Sequence, residues 1–219
     1  MKTAIFCDFD GTVTRRDVGY SIFHHFSGGK NDELLPDWKA GRMTTRECLT
    51  REAAMVRAST DELYRFIDLF ELDAGFLEFA RLCRKNDIPL MIASDGLDFY
   101  IRHILGKYDL GHLMLPTNVG RAENGGLTVE FPHRNRSCPR CGTCKGERIE
   151  QFREDHGGRH SVVFVGDGYS DACAAHRADI IFAKKDLERY CQAGKIAYLK
   201  FDTFDDVSRQ LIQMNHLER

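Results

Sequence analysis

The chain has 219 residues, of which 42% are hydrophobic and 29% charged, and its formal net charge is −2. This size fits one globular domain, or one core domain with a modest insertion, which can bury an adequate core without disulfides. The balanced charge excludes a strongly basic protein, so we expect neither nucleic acid nor a membrane as a partner. No apolar run is long enough for a bilayer span or a secretory signal, and we expect a cytoplasmic location. The sequence predicts no particular oligomeric state.

Short apolar runs that stop abruptly at a polar residue or glycine recur along the chain. They cover residues 4–7, 89–93, 162–165 and 180–183. Continuous apolar runs of this length indicate strands buried on both faces of a parallel sheet. Helical patterns alternate with them, most clearly over residues 73–86, where Phe76, Leu77, Ala80 and Cys83 share one face. The alternation predicts an α/β fold with a doubly wound parallel sheet, whose ligands bind beyond the carboxyl ends of the strands.

Residues 15–72 interrupt this alternation, because they contain helical patterns and no strand-like run. We expect helices at residues 17–26, 44–57 and 60–70, the last two capped by Thr44 and Thr60. We therefore predict a core of residues 1–14 and 73–219 with a helical cap of residues 15–72 inserted after the first strand. Asn124 and Gly125 predict a hairpin in the irregular stretch of residues 113–136.

Asp8 and Asp10 follow the first predicted strand. Two carboxylates spaced by two residues in extended backbone point to the same side and can face one substrate. A phosphate monoester repels carboxylates, so such a site needs a divalent cation. One carboxylate can then attack phosphorus, while the other protonates the leaving oxygen and later deprotonates water. The alternative interpretation is an acidic turn after a strand.

Polar residues also end the later strands. Ser94 and Gly96 offer a hydroxyl and a close backbone approach to an anion, although a serine capping the following helix has the same pattern. Lys145 opens a predicted helix and can hold phosphoryl charge, or be an ordinary solvated lysine. Asp167 and Asp171 suit a metal ligand and its supporting partner, unless Asp171 only caps a helix.

Together these elements resemble the motifs of the haloacid-dehalogenase-like (HAD) phosphohydrolases. Those motifs are an aspartate pair, a Ser or Thr, a lysine and a paired acidic motif, and all occur here in that order between Asp8 and Asp171. The resemblance implies a phosphatase in which Asp8 is the nucleophile and Asp10 the general acid and base. It also implies that Ser94 and Lys145 bind the phosphoryl group of a small-molecule phosphate ester.

The same resemblance implies a Mg²⁺ cofactor. Its ligands are Asp8, the backbone carbonyl of Asp10 and Asp167, with Asp171 supporting them from behind. The motifs add four further predicted phosphate-binding residues: Gly11, Thr12, Asp95 and Gly96.

Longer stretches are similar to the methionine-salvage phosphatases that act on 2-hydroxy-3-keto-5-methylthiopentenyl 1-phosphate. They are residues 8–14 with Asp17, 94–99, 131–133, the cysteine-rich segment that leads into Lys145, and 181–187. A phosphatase for phosphoserine, phosphocholine or phosphoethanolamine is the alternative substrate class. A non-catalytic HAD-like scaffold that binds a partner through its cysteines is the alternative of another kind, and the intact carboxylates argue against it.

Three of the eight cysteines, Cys138, Cys141 and Cys144, directly precede Lys145. With His133 as a fourth ligand they have the spacing of a zinc site, so Zn²⁺ is a possible second cofactor. A redox-active pair or a disulfide is a second interpretation, and unbridged thiols are the one we favour. The other five cysteines read as ordinary buried thiols.

Overall fold

The first strand lies second from one edge of the central sheet, with a parallel partner on each side. A computed structural model describes residues 2–218 of the chain. Its strands are β1 (Lys2–Cys7), β2 (Leu90–Ile92), β3 (Val119–Glu123), β4 (Gly126–Glu130), β5 (His160–Gly166), β6 (Ile180–Ala183) and β7 (Leu199–Lys200). Five of them form a parallel sheet in the order β2-β1-β5-β6-β7. Cys7 of β1 pairs with Ile92 and Val165, so the carboxyl ends of three strands meet at one edge.

Helices cover both faces of this sheet. They are α1 (Val18–Ser27), α2 (Leu35–Lys39), α3 (Thr45–Met55), α4 (Thr60–Ile67), α5 (Phe76–Lys85), α6 (Asp98–Gly106), α7 (Lys145–Asp155), α8 (Ala172–Ala175), α9 (Lys185–Gly194) and α10 (Phe204–Gln213). Alternate residues of β1 contribute to two hydrophobic clusters: Ile5 packs with residues of α5, α6 and α10, and Phe6 packs with residues of α7, α8 and α9. The predicted doubly wound α/β fold is confirmed.

The regular elements between β1 and α5 are all helices, with no strand between α1 and α4. An antiparallel bridge between Thr14 and Leu72 brings its two ends together. The side chain of Thr44 caps α3 as predicted, in a reciprocal capping box with Glu47. The prediction for α4 was wrong by one residue, because Ser59 is the cap and Thr60 is the first helical residue.

The predicted hairpin is present as β3 and β4, joined at Asn124 and Gly125, which both have positive φ angles. It rests on the helical segment, since Ala58 N–H donates to the carbonyl of Gly125 at 3.2 Å. Strand β7 and the helices α2, α9 and α10 were not predicted from the sequence. Within residues 2–218, no helix is long and apolar enough to cross a membrane.

Candidate active site

Asp8 and Lys145 form a buried ion pair at the carboxyl edge of the sheet. Asp8 directly follows β1 and Lys145 is the first residue of α7, and their side chains are 5% and 1% exposed. The Lys145 ammonium lies 2.7 Å from Asp8 Oδ1 and 2.5 Å from Asp171 Oδ1. Burial alone would lower the pKa of Lys145, but the charges of Asp171 and Asp8 raise it, so the ammonium stays protonated. The interpretation of Lys145 as a solvated surface lysine was wrong.

Asp10 is held by donors from two other elements. Its Oδ1 accepts hydrogen bonds from the backbone N–H groups of Val18 and Gly19, each at 3.0 Å, at the start of α1. Its Oδ2 accepts one from the Tyr100 hydroxyl at 2.6 Å. Burial raises the pKa of Asp10, while the hydrogen bonds from Tyr100 and from these amides lower it. The carboxyl group is therefore fixed in orientation beside Asp8, which lines the same cavity.

Asp167 and Asp171 lie on the loop after β5. Asp171 Oδ2 accepts hydrogen bonds from the backbone N–H groups of Asp167 and Gly168, at 3.0 and 2.9 Å, while its other oxygen contacts Lys145. Asp171 thus shapes the loop that carries Asp167, and it does more than cap a helix. One carboxylate oxygen from each of Asp8, Asp167 and Asp171 lies within 4.8 Å of the other two. Burial and the neighbouring Asp171 charge raise the pKa of Asp8, with Lys145 opposing.

Gly11 and Thr12 contact Asp167 from the turn after β1. The Thr12 hydroxyl is fully buried and donates to Asp167 Oδ1 at 3.1 Å. Gly11 has φ near 75°, and a Cβ there would lie 2.5 Å from Asp167 Oδ2, so the turn requires glycine. Lys185, at the start of α9, places its ammonium 2.8 Å from Asp167 Oδ2.

Ser94, Asp95 and Gly96 line the same cavity from the segment that follows β2. Ser94 Oγ accepts a hydrogen bond from Gly96 N–H at 3.0 Å and makes no cap for α6, whose N-cap residue is Leu97. Asp95 accepts from Thr143 N–H at 2.7 Å and so fixes the loop before Lys145. A Cβ on Gly96 would lie 2.7 Å from Asp10 Oδ2, which explains the glycine.

The helical segment roofs this edge of the sheet and leaves a cavity of about 440 Å³. Asp8, Asp10, Ser94, Lys145 and Asp167 form its floor. The roof combines aromatic and aliphatic side chains with two carboxylates: Tyr20, Phe23, Leu35, Trp38, Leu49, Asp17 and Glu52. Trp38 lines the cavity while its Nε1 donates to Thr45 Oγ1, which fixes the orientation of the indole ring.

The cysteine prediction needs one correction. The sulfur atoms of Cys138, Cys141 and Cys144 lie within 4.8 Å of one another together with that of Cys173, so His133 is not the fourth member. Cys173 had been read as an ordinary buried thiol because it lies 29 residues beyond Cys144 in the sequence. Hydrogen bonds from the Cys141 and Cys144 thiols lower the pKa of Cys173 to about 4. We call these four residues the cysteine cluster.

Two further site residues had no predicted role. Tyr100 sits inside α6 at a helical core position, where an aromatic residue normally only packs, so no sequence signal marks its hydroxyl. Lys185 did carry a signal, because the fourth apolar run ends next to it, as the other runs end at Asp8, Ser94 and Asp167.

Comparison with known proteins agrees with this geometry. Residues 3–196 match the model of a family described as Putative Phosphatase. The 2-hydroxy-3-keto-5-methylthiopentenyl-1-phosphate phosphatases of Bacillus thuringiensis (strain Al Hakam) and Bacillus cereus (strain AH820) are each 31% identical over 215 residues, which is 96% of both chains.

Solved structures show the same fold. A phospho-aspartyl intermediate analogue of phosphoserine phosphatase aligns with a TM-score of 0.73 at 18% identity, covering 97% of this chain and 98% of the other. A substrate-bound phosphoserine phosphatase aligns with a TM-score of 0.73 at 17% identity, covering 98% of both chains.

A family match over most of the chain and named enzymes at 31% identity leave the non-catalytic scaffold interpretation without support. The chain belongs to the Putative Phosphatase family of HAD-like proteins, and it is a phosphoric monoester hydrolase that acts on a small phosphate ester.

Proposed function

We propose that this phosphatase is magnesium-dependent and works through a phosphorylated Asp8. The observation that carries the proposal is the position of the Lys145 ammonium, buried between Asp8 and Asp171 on the floor of the cavity. A lysine there can neutralise charge on a phosphoryl group next to the attacking carboxylate. Asp8 Oδ attacks phosphorus, the phosphorus–oxygen ester bond breaks, and water later hydrolyses the acyl phosphate.

Asp10 supplies the protons for both steps. Its carboxyl group gives a proton to the departing ester oxygen and then takes one from the attacking water, which restores the starting state. Tyr100 and the first amides of α1 hold it in place for this role. Ser94 and Lys145 would bind the phosphoryl oxygens, with Asp95 and Gly96 shaping the turn that presents Ser94.

Magnesium fits this donor set. Asp8, Asp167 and Asp171 bring three buried carboxylates together, and their ion pairs are with Lys145 and the half-exposed Lys185. The pocket therefore has surplus negative charge, and carboxylate oxygens are the ligands that Mg²⁺ prefers. Asp8, Asp167 and the carbonyl of Asp10 would hold the ion, with Asp171 fixing the loop. When bound, it offsets repulsion between a phosphate dianion and the carboxylates.

For the substrate we propose 2-hydroxy-3-keto-5-methylthiopentenyl 1-phosphate. The relatives that carry this name align along nearly the whole chain. The roof of the cavity supports the same choice, because Phe23, Leu35, Trp38 and Leu49 offer an apolar surface for a methylthio group away from the phosphate. We also propose that residues 15–72 act as the cap that selects this substrate, which the bridge between Thr14 and Leu72 supports.

Glu52 favours a second candidate class, phosphate esters that carry an ammonium group. The Glu52 residue is 5% exposed and lines the roof of the cavity. Among the described residues, its carboxylate accepts side-chain hydrogen bonds from Asn31 and Cys48 and has no cationic partner. Phosphoserine, phosphoethanolamine and phosphocholine each bring a positive charge that could meet it. The cytoplasmic location expected from the sequence stays a prediction.

Turnover of a panel of esters, with and without EDTA, tests these proposals. We expect activity to vanish with EDTA and to return with Mg²⁺, and kcat/KM to be highest for the methylthiopentenyl ester. If an ester that carries an ammonium group has the highest kcat/KM, the substrate belongs to the second class. Full activity after exhaustive chelation would refute the magnesium requirement.

A further inference from the structure

The cysteine cluster lies outside the catalytic cavity, between two segments that carry catalytic residues. Cys144 immediately precedes Lys145, and Cys173 follows Asp171 by two residues. The two segments approach closely, since a Cβ on Gly146 would lie 2.5 Å from the Cys173 carbonyl oxygen. The four thiols, which have no catalytic role, therefore lie together at the contact between the start of α7 and the loop after β5.

The separations between the sulfur atoms suit a tetrahedral metal site. The four sulfur atoms lie within 4.8 Å of one another, and those of Cys138 and Cys173 are 4.0 Å apart. Zinc binds thiolates at about 2.3 Å in a tetrahedron, which separates the sulfurs by roughly 3.8 Å. Disulfide bonding needs a separation near 2.05 Å and joins sulfurs only in pairs, so it does not explain why four meet at one point.

The backbone around the cluster is fixed by hydrogen bonds that do not use the sulfurs. Glu147 accepts from the N–H groups of Ser137 and Cys138, at 2.8 and 2.7 Å, and Asn135 Oδ1 accepts from Cys144 N–H at 3.2 Å. Cys144 is also the N-cap residue of α7, where the helix dipole favours the negative charge of a metal–thiolate group. The loop thus holds its thiols in place and leaves them available as ligands.

We propose that Cys138, Cys141, Cys144 and Cys173 bind one structural zinc ion, which ties the Lys145 segment to the Asp171 loop. Binding replaces the thiol protons, which pass to solvent, by four zinc–sulfur bonds, and no oxidation takes place. The same loop contacts the helical segment, because the Arg46 side chain donates to the carbonyl of Cys141 at 3.2 Å. The zinc therefore stabilises the junction of three parts of the catalytic cavity.

Metal content tests this proposal independently of turnover. Protein without an affinity tag, treated with EDTA and gel-filtered, should retain about one zinc per chain by elemental analysis, while magnesium is lost. An organomercurial should release that zinc stoichiometrically, and refolding with Co²⁺ should give the visible absorption of tetrahedral thiolate coordination. Zinc-free wild type with four freely titrating thiols, iron in place of zinc, or a mass deficit from a disulfide would each overturn the proposal.

Variants separate this site from the predicted site with His133. Cys173→Ser should lose the zinc, whereas His133→Gln should keep it. Cys191→Ser is the matched control, since Cys191 is fully buried in the hydrophobic cluster on the same side of the sheet but lies outside the cysteine cluster. Retention of zinc in Cys173→Ser, or its loss in His133→Gln, would contradict the assignment. If Cys173→Ser fails to fold, the zinc content of the wild type still decides the question.

Discussion

The Asp8 carboxylate has an unusual environment for a group assigned to attack phosphorus. It is buried, beside another carboxylate, and its pKa is raised by both effects, with Lys145 as the opposing charge. Its reactivity therefore depends on the cations that surround it, because only the ionised form can act as the nucleophile.

Asp8→Asn should abolish turnover, by about 10³-fold or more, because the amide is nearly isosteric but cannot form the acyl phosphate. Beryllium fluoride should inhibit the wild type as a mimic of phosphorylated Asp8 and should not bind the variant. Circular dichroism controls for the fold. Substantial activity in cleanly purified, folded Asp8→Asn would exclude the covalent mechanism.

Asp10→Asn should slow alkyl phosphates by about 10²–10⁴-fold and p-nitrophenyl phosphate much less, since a stable phenolate hardly needs protonation. The measurement is kcat for both ester types in the wild type and the variant. Equal losses for the two would show that Asp10 acts mainly through the contacts with Val18, Gly19 and Tyr100 that position α1 and α6.

Glu52 should make stability fall as pH rises. Burial raises its pKa to about 7, so the folded state binds a proton that the unfolded state releases near pH 4.5. The resulting stabilisation is complete below pH 4.5 and is lost as pH rises through 7, to a total of at most about 3 kcal/mol. Urea unfolding at pH 5 and pH 8 should show a smaller pH dependence for Glu52→Gln than for the wild type. An identical pH dependence would mean that Glu52 ionises normally.

The carboxylates proposed for catalysis could be located from the sequence because apolar runs end at Asp8 and next to Asp167, which places both at the edge of a parallel sheet. Sequence reasoning missed Tyr100, whose contact with Asp10 spans 90 positions of sequence and depends on how α6 packs. Cys173 was missed for the same reason, since its neighbours in space belong to another loop. A local sequence pattern predicts the strand or helix in which a residue lies. It does not predict which side chains from distant parts of the sequence come into contact in the folded protein.

At the scale of elements, some side chains of α1 line the cavity and others pack against neighbouring helices. Phe23 lines the cavity, whereas Phe26, one turn later, packs against Phe66 and does not face it. The two residues therefore form a matched pair for asking what the helical segment contributes to catalysis.

Phe23→Ala should lower kcat/KM for the physiological ester about tenfold or more, because it removes apolar contact with the part of the substrate remote from phosphorus. It should leave turnover of acetyl phosphate nearly unchanged, since that ester reaches little beyond the floor. Phe26→Ala controls for general loss of helix stability. Equal losses for both esters in Phe23→Ala would show that the segment does not select substrate.

Helix and strand patterns predicted most elements but not their ends. The caps of α3 and α4 are both reciprocal boxes with a glutamate at the third helical position, and recognising Glu62 would have identified Ser59 in place of Thr60. Strand β7 has only two residues and carries no periodic signal, and α10 lay beyond the last apolar run that was read as a strand.

At the scale of the whole molecule, the order of the strands in space differs from their order in the chain. The sheet could be predicted as parallel and doubly wound, because continuous apolar runs alternate with helices. Its strand order follows from tertiary packing, in particular the pairing of Lys2 with His160 across most of the sequence.

This strand order has a consequence for synthesis on the ribosome. Strand β1 leaves the exit tunnel before the other described strands, yet β5, with which it pairs along its whole length, is made only after α7. Until β5 is made, the edge of β1 that will pair with it has no hydrogen-bonding partner, and this strand carries the apolar side chains of Ile5 and Phe6. An unpaired apolar strand edge is prone to aggregation. Nascent chains ending near residue 158 should therefore bind chaperones and be cleaved readily by protease near their N-terminus. Chains extended beyond residue 196 should be protected, and equal protection at both lengths would show that β1 is shielded before β5 arrives.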